Sequence, residues 1–366
     1  MFLKNLSRAA VLLILILAML PVEGVQAGRG MPGTGQFGYG VRISLNDPNL
    51  NQTLTCVSKL ALDWILVDLA WDEFVPREDT APNWAVLDQV MSFAAGQYTP
   101  VIISLSRPPA WALSEHGPDS TLTFQWISSL VNRYPETLQA VEVFAGANTR
   151  KGWGAKPASK AYAKLFMDLQ QQITAQGLAV TLVAGGLVPV TENDPENRIN
   201  DLKFLQGLYD NGLKDYMPVI SLQMAHTTAA PLTTPDGQEF RYLRHYEEIR
   251  QVMRDNGHSG GLLWITRLAR PDGTITPSDQ VYLSSENAGQ WLSQTLAQLK
   301  SQLYLGIAVL DILQPGSNPL SVCEIHDTAS LLANPNSQTK DYKFDNHPLK
   351  LGRPKSHFIG KGEPPA

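Results

Sequence analysis

Apolar and polar positions follow two rhythms from Phe37 onward. Short β-rich runs, several almost continuously apolar, alternate with longer stretches whose apolar residues fall three and four apart. The short runs are Gly38–Leu45, Trp64–Ala70, Pro100–Ser106, Ala140–Ala145, Ala179–Ala184, Pro218–Met224, Gly261–Thr266 and Tyr304–Leu310. Unbroken apolarity suits a parallel strand buried on both faces. The intervening stretches Asn83–Ala95, Thr121–Tyr134, Ser159–Gln176, Arg241–Asn256 and Ser285–Leu299 read as amphipathic helices. Phe124, Ile127, Leu130 and Val131 mark one apolar face, and Gly257 is a suitable stop for the fourth helix. Strands alternating with helices predict βαβ repeats and a parallel sheet. Eight strands close a (β/α)8 TIM barrel, so the expected fold is α/β, one barrel over residues 37–333. An open doubly wound sheet is the alternative. It is disfavoured because no glycine-rich phosphate fingerprint follows the first run.

Both ends of the chain depart from this pattern. Lys4 and Arg8 precede the apolar segment Ala9–Leu20, and Val25-Gln26-Ala27 fits a small-residue cleavage site. Residues 1–27 therefore read as a secretory signal peptide, with a retained N-terminal membrane anchor as the alternative. The apolar segment is short for a bilayer span, and no membrane span is expected once the signal is removed. Residues 28–36 form a glycine-rich leader. Residues 334–366 are polar, carry six Lys and Arg, and lack periodicity. They read as a disordered tail, either solvated or contacting a partner. The expected location is extracellular or in the cell envelope.

The net charge is −5, and no basic stripe interleaved with aromatics appears, which argues against nucleic-acid binding. His116, His226 and His258 are scattered without ligand spacing, so no metal and no cofactor is expected. The chain has two cysteines, Cys56 and Cys323. A closed barrel brings the first helix close to the segment after the last strand, and export permits a disulfide between them. Two buried thiols are the alternative. The sequence favours no oligomeric state.

A barrel of this kind places its chemistry at the C-terminal ends of the strands. Those ends read Asp68-Leu69-Ala70-Trp71-Asp72-Glu73 after strand 2 and Ser106-Arg107-Pro108-Pro109-Ala110-Trp111 after strand 3. Strand 4 ends Phe144-Ala145-Gly146-Ala147-Asn148 with Trp153 beyond, and strand 7 ends Trp264-Ile265-Thr266-Arg267. Together with Asn83-Trp84, Phe204 to Tyr216 and Ser285-Glu286 with Gln290, these pieces resemble the clan-A glycoside hydrolases, nearest to families 39 and 5. Their order and spacing cover roughly Phe37 to Pro315.

The resemblance implies two catalytic glutamates, and this chain departs at both. Where the family has Asn-Glu-Pro after strand 4, Gly146 takes the acid/base position. Where it has Thr-Glu on strand 7, Arg267 takes the nucleophile position. Leu66 stands at a sugar-contacting arginine and Gln223 at a histidine. Retaining hydrolysis needs two carboxyl groups about 5–5.5 Å apart, and neither Gly146 nor Arg267 supplies one. The implied function is a secreted, non-hydrolytic glycoside hydrolase-like barrel that binds an oligo- or polysaccharide or acts as a surface scaffold. Two alternatives stand beside it. One is an active O-glycosyl hydrolase with relocated carboxylates drawn from Asp68, Glu142 and Asp311. The other is a protein-interaction barrel.

Binding candidates at the mouth are Trp71, Trp111, Asn148, Trp153, Gln223 and Arg267, whereas Trp84 and Trp264 read as core. Glu142 is expected to point inward as a buried structural carboxylate with Arg42 or Arg267 as its cationic partner. Asp72 and Glu73 are expected on a solvated loop. Arg107, Arg267 and Arg270 would favour an anionic ligand such as a uronic acid.

Overall fold

The structure, a computed structural model, describes residues 37–60, 62–190, 194–224, 243–268 and 285–311. Eight parallel strands close into a barrel: β1 Gly38–Ser44, β2 Trp64–Ala70, β3 Val101–Ser106, β4 Leu138–Val143, β5 Thr181–Leu187, β6 Val219–Met224, β7 Leu262–Leu268 and β8 Leu305–Asp311. Each pairs with its neighbours in sequence, and β8 pairs back onto β1. The connecting helices are α1 Leu50–Val57, α2 Ala85–Gly96, α3 Ser120–Arg133, α4 Ser159–Ala175, α5 Asp201–Asp210, α6 Tyr246–Asp255 and α7 Ser285–Lys300.

The hydrophobic pattern accounts for two separate apolar layers. Alternate strand residues Trp64, Leu66, Ile102, Ala140, Trp264 and Ile307 fill the barrel interior. The residues between them, such as Ile65, Val67 and Ile103, pack outward against the helices. This period of two is what lets one strand serve two cores. Trp64 and Trp264 meet at the base with ring centroids 5.8 Å apart. Gly38 makes room for them, because a Cβ there would lie 3.0 Å from the Trp64 ring. Helix α3 begins where the Asp119 carboxylate accepts from the Thr121 and Leu122 amides, which satisfies two donors of the first turn.

Several expected boundaries move. The fourth strand ends at Val143 rather than Ala145, because Phe144 adopts φ 56° and turns the chain. The fifth extends to Leu187 across the Gly185-Gly186 pair, where the register to β6 shifts. The helix expected from Arg241 is described only from a 3-10 turn at Leu243–His245 that leads into α6. The expected signal peptide, leader and tail lie outside the described residues. Cys56 is in a disulfide, and Cys323 lies outside the described residues. Among the described residues, no helix is long and apolar enough to cross a membrane.

Candidate functional site

One irregularity sets the geometry of the barrel mouth. Strand β7 carries an extra residue relative to both neighbours, since Leu222 pairs with Ile265 but Gln223 with Arg267, and Ala308 with Ile265 but Leu310 with Leu268. Strict alternation would send Thr266 inward and Arg267 outward. The bulge instead lets both serve the interior. Thr266 donates to Glu142 at 2.6 Å, and Arg267 Nε donates to Asp311 at 2.8 Å.

Glu142 lies wholly buried one layer below the mouth. Its carboxyl is held by the hydroxyls of Ser104, on the paired β3, and Thr266, with Ser221 as a third hydroxyl. The inward direction is as expected, but the cationic partner is not. Arg42 and Arg267 are both drawn to Asp311 instead. Burial is the largest influence on Glu142 and raises its pKa above the ordinary carboxyl range, against the three hydroxyls, while the nearby Asp68 adds to the rise. The Glu142 carboxyl is held by hydroxyls and not by a cation.

Above it runs a chain of charge. Arg42 lies between Asp68, on β2, and Asp311, which it meets at 3.2 Å. Asp311 also receives Arg267, so one buried carboxylate anchors two guanidinium groups. Burial raises the Asp68 pKa even though Arg42 opposes the rise. The Arg42 pKa is also raised; burial works against this, but Asp68 and Asp311 outweigh it.

A second network adjoins that chain of charge at the ends of β2 and β3. Arg107 holds φ 53°, an uncommon value for a side chain with a Cβ. Its guanidinium binds Asp72 at 2.8 Å and also Glu73. Glu73 further accepts from Asn46 at 2.8 Å. Asp72 and Glu73 were expected on a solvated loop; they sit instead on a one-turn helix, Trp71–Phe74, fixed by Arg107. Arg107 is thereby committed to its own acids.

The strand ends surround a cavity of about 940 Å³. Gln223, Arg267, Asp68 and Gly146 line it, as expected of mouth residues. Gly146 holds φ 79°, so a side chain there would be strained. The expected aromatic platforms are not among the lining residues. Trp71 and Trp153 are each about 1% exposed. Trp71 stacks on Trp126, and Trp153 packs edge-on against Phe144. Trp111 is half-buried and donates its indole N–H to the Val75 carbonyl. All three gain more from the apolar layer around α3 and α4 than from the solvent-facing rim. Asn148 is also withdrawn from the site. Its side chain is buried and ties Val188 and Ile199 together through three hydrogen bonds of 2.8–2.9 Å. Trp264 is core as expected, whereas Trp84 is only half-buried and lies under the Arg133 guanidinium.

Sequence reasoning did not assign Lys151, Arg150 and Arg198 to the cavity, which they line. They lie in the segments after β4 and β5, where no periodic signal marks a mouth position. Arg270 and His226 lie outside the described residues. Among the described residues, no cluster of His, Cys, Asp and Glu suits a metal ion.

No family model matches the chain, and no curated protein matches it. Solved structures do. A family 39 glycoside hydrolase from the gut symbiont Bacteroides cellulosilyticus WH2 shares 15% identity at a TM-score of 0.57, over 83% of this chain and 64% of that one. A family 39 β-xylosidase from Caulobacter crescentus shares 15% at 0.52, over 76% and 63%. A family 26 endo-β-1,4-mannanase from Bacillus sp. JAMB-750 shares 12% at 0.53, over 82% and 86%. The chain thus spans slightly under two thirds of the two family 39 proteins. At this identity the likeness establishes the fold: a closed, all-parallel barrel of the glycoside hydrolase type.

Proposed function

We propose that this barrel binds a glycan at its mouth without hydrolysing it. The observation that carries the reading is the engagement of every described carboxyl group around the cavity. Asp68 and Asp311 share Arg42, and Asp311 holds Arg267 as well. Asp72 and Glu73 share Arg107. Glu142 is sealed below the mouth under hydroxyls. Glycoside hydrolysis asks for two carboxyl groups facing each other across an open site, one ready to give a proton and one ready to attack or to activate water. The described carboxyl groups are paired with cations or buried, and the Arg267 guanidinium at the mouth would oppose the positive charge of an oxocarbenium-like transition state formed there.

The cavity itself suits a sugar chain. It is open to solvent, roomy enough for several rings, and lined by hydroxyl and amide groups from Ser44, Asn46, Ser104, Ser106, Thr149 and Gln223. Export by the N-terminal segment, and a role as a surface glycan receptor, belong to this same proposal.

Titration calorimetry against plant and bacterial oligosaccharides tests it. Binding of at least one glycan is expected, weakened by Gln223→Ala. A protein that binds no glycan in a broad panel would overturn it.

A further inference from the structure

The cavity wall is unbalanced in charge and in aromatic content. Among the described residues six cations line it, Arg42, Arg107, Arg150, Lys151, Arg198 and Arg267, against two acids, Asp68 and Glu73. Three further acids, Asp72, Glu196 and Asp311, pair with Arg107, Arg150, Arg42 and Arg267, so the uncommitted positive charge rests chiefly on Lys151 and the terminal nitrogens of Arg267. The acids that hold several of these cations sit behind them. Asp311, which anchors Arg42 and Arg267, has a side chain 4% exposed and does not line the cavity. Asp72, behind Arg107, and Glu196, behind Arg150, do not line it either. At Arg267 such a carboxylate fixes the direction of the guanidinium and leaves its other nitrogens for a ligand, whereas Arg42 and Arg107 are each held by two acids. Arg267 uses only Nε on Asp311, and among the described residues its two terminal nitrogens have no partner. Lys151 is exposed and has no ion pair among the described residues.

Neutral sugars are commonly held by aromatic faces, which supply large apolar contact area. Among the described lining residues Phe74 is the only aromatic. The cations, in contrast, come from four separate sites around the rim besides β1: after β3, after β4, after β5 and on β7. A single compact anion would be met by one cluster. Charges spread around the cavity fit a ligand that carries more than one negative group.

We infer that the cavity takes an acidic oligosaccharide, with carboxylates on successive sugar rings, and that Arg267 and Lys151 receive two of those carboxylates. This rests on the reading of the mouth as a glycan site.

The test compares an oligogalacturonate with a neutral xylo-oligosaccharide of equal length, by calorimetry on the full chain, in low and in high salt. The uronate should bind at least about tenfold more tightly, and its affinity should fall several-fold in high salt as the charges are screened. Arg267→Gln and Lys151→Gln should each weaken it about tenfold, the loss expected for one charge-assisted hydrogen bond. Lys151 is exposed, so its variant should keep the parent's melting temperature. Neutral chains binding as tightly as the uronate, with no salt dependence, would overturn the inference and leave the glycan reading standing. Inorganic polyphosphate binding as tightly as the uronate would overturn it too, by showing a charge trap with no recognition of sugar. Failure of every glycan would remove the underlying reading itself.

Discussion

Glu142 offers the sharpest perturbation, because two substitutions there separate shape from charge. Glu142→Gln keeps the volume and replaces one oxygen with a donor that Ser104, Ser221 or Thr266 can accept, since a hydroxyl turns either way. Glu142→Ala removes the carboxyl from a wholly buried site. It deprives the Ser104 and Thr266 hydroxyls of their partner, at about 1 kcal/mol each, while Ser221 keeps the Ala184 carbonyl, and it leaves a void, so the total is roughly 3–5 kcal/mol. For a domain of this size that lowers the melting temperature by about 6–20 °C.

The charge effect has a definite sign. The folded-state pKa of Glu142 is raised by burial. The folded chain therefore holds this proton more tightly than the unfolded chain does. The stability this contributes is full below the ordinary carboxyl pKa and is lost as pH rises through the raised one. The slope is at most about 1.4 kcal/mol per pH unit. Thermal melts at pH 5 and pH 8 should show Glu142→Gln within about 1 kcal/mol of the parent at pH 5. At pH 8 the variant should match or exceed the parent. If Glu142→Gln instead falls as far as Glu142→Ala at both values, the carboxyl is ionised and the account of its surroundings is wrong.

Other outcomes follow from the remaining networks. Arg42→Met should cost roughly 2–4 kcal/mol, between the values for exposed and fully buried pairs, and adding Asp68→Asn should restore part of it; strict additivity in that double-mutant cycle would contradict the pairing. His245 is buried between Asp201 and Glu248. Burial opposes the change, but the two acids raise its pKa to about 9. Its contribution, roughly 3 kcal/mol, should be full below pH 6.5 and lost as pH rises through 9. His245→Gln should flatten that part of the stability profile, measured by urea melts. Asn148→Ala should lower stability by roughly 2–4 kcal/mol, measured by urea melts, through the loss of three hydrogen bonds. It should leave glycan affinity of the folded protein unchanged; a lost affinity at unchanged stability would return Asn148 to the binding site.

Much of the fold was legible in the chain. Residues such as Val67, Ile103 and Val141 sit in runs apolar enough for two-sided burial, and the helical spacing of Phe124, Ile127 and Leu130 gave the layer around them. The site was legible only in part. Gln223, Asp68 and Arg267 line the mouth as strand ends should. The extra residue in β7 was not visible, because a bulge leaves the apolar pattern almost intact while turning Arg267 toward Asp311. The tryptophans misled for a related reason. Position after a strand end says where a backbone goes, not whether a large ring folds back onto the core, as Trp71 and Trp153 do. The Glu142 counter-ion was misjudged because a cation was assumed where burial raises the carboxyl pKa and hydroxyls hold it.

The most direct test of the central claim is turnover of activated aryl glycosides, whose leaving groups need little acid assistance. A panel of aryl xylosides, glucosides, mannosides and glucuronides should show no release above buffer, while the same protein preparation binds its oligosaccharide by calorimetry. Steady release that disappears in Asp68→Asn or in the Asp311→Asn variant would contradict the account and make this barrel a hydrolase with relocated carboxylates.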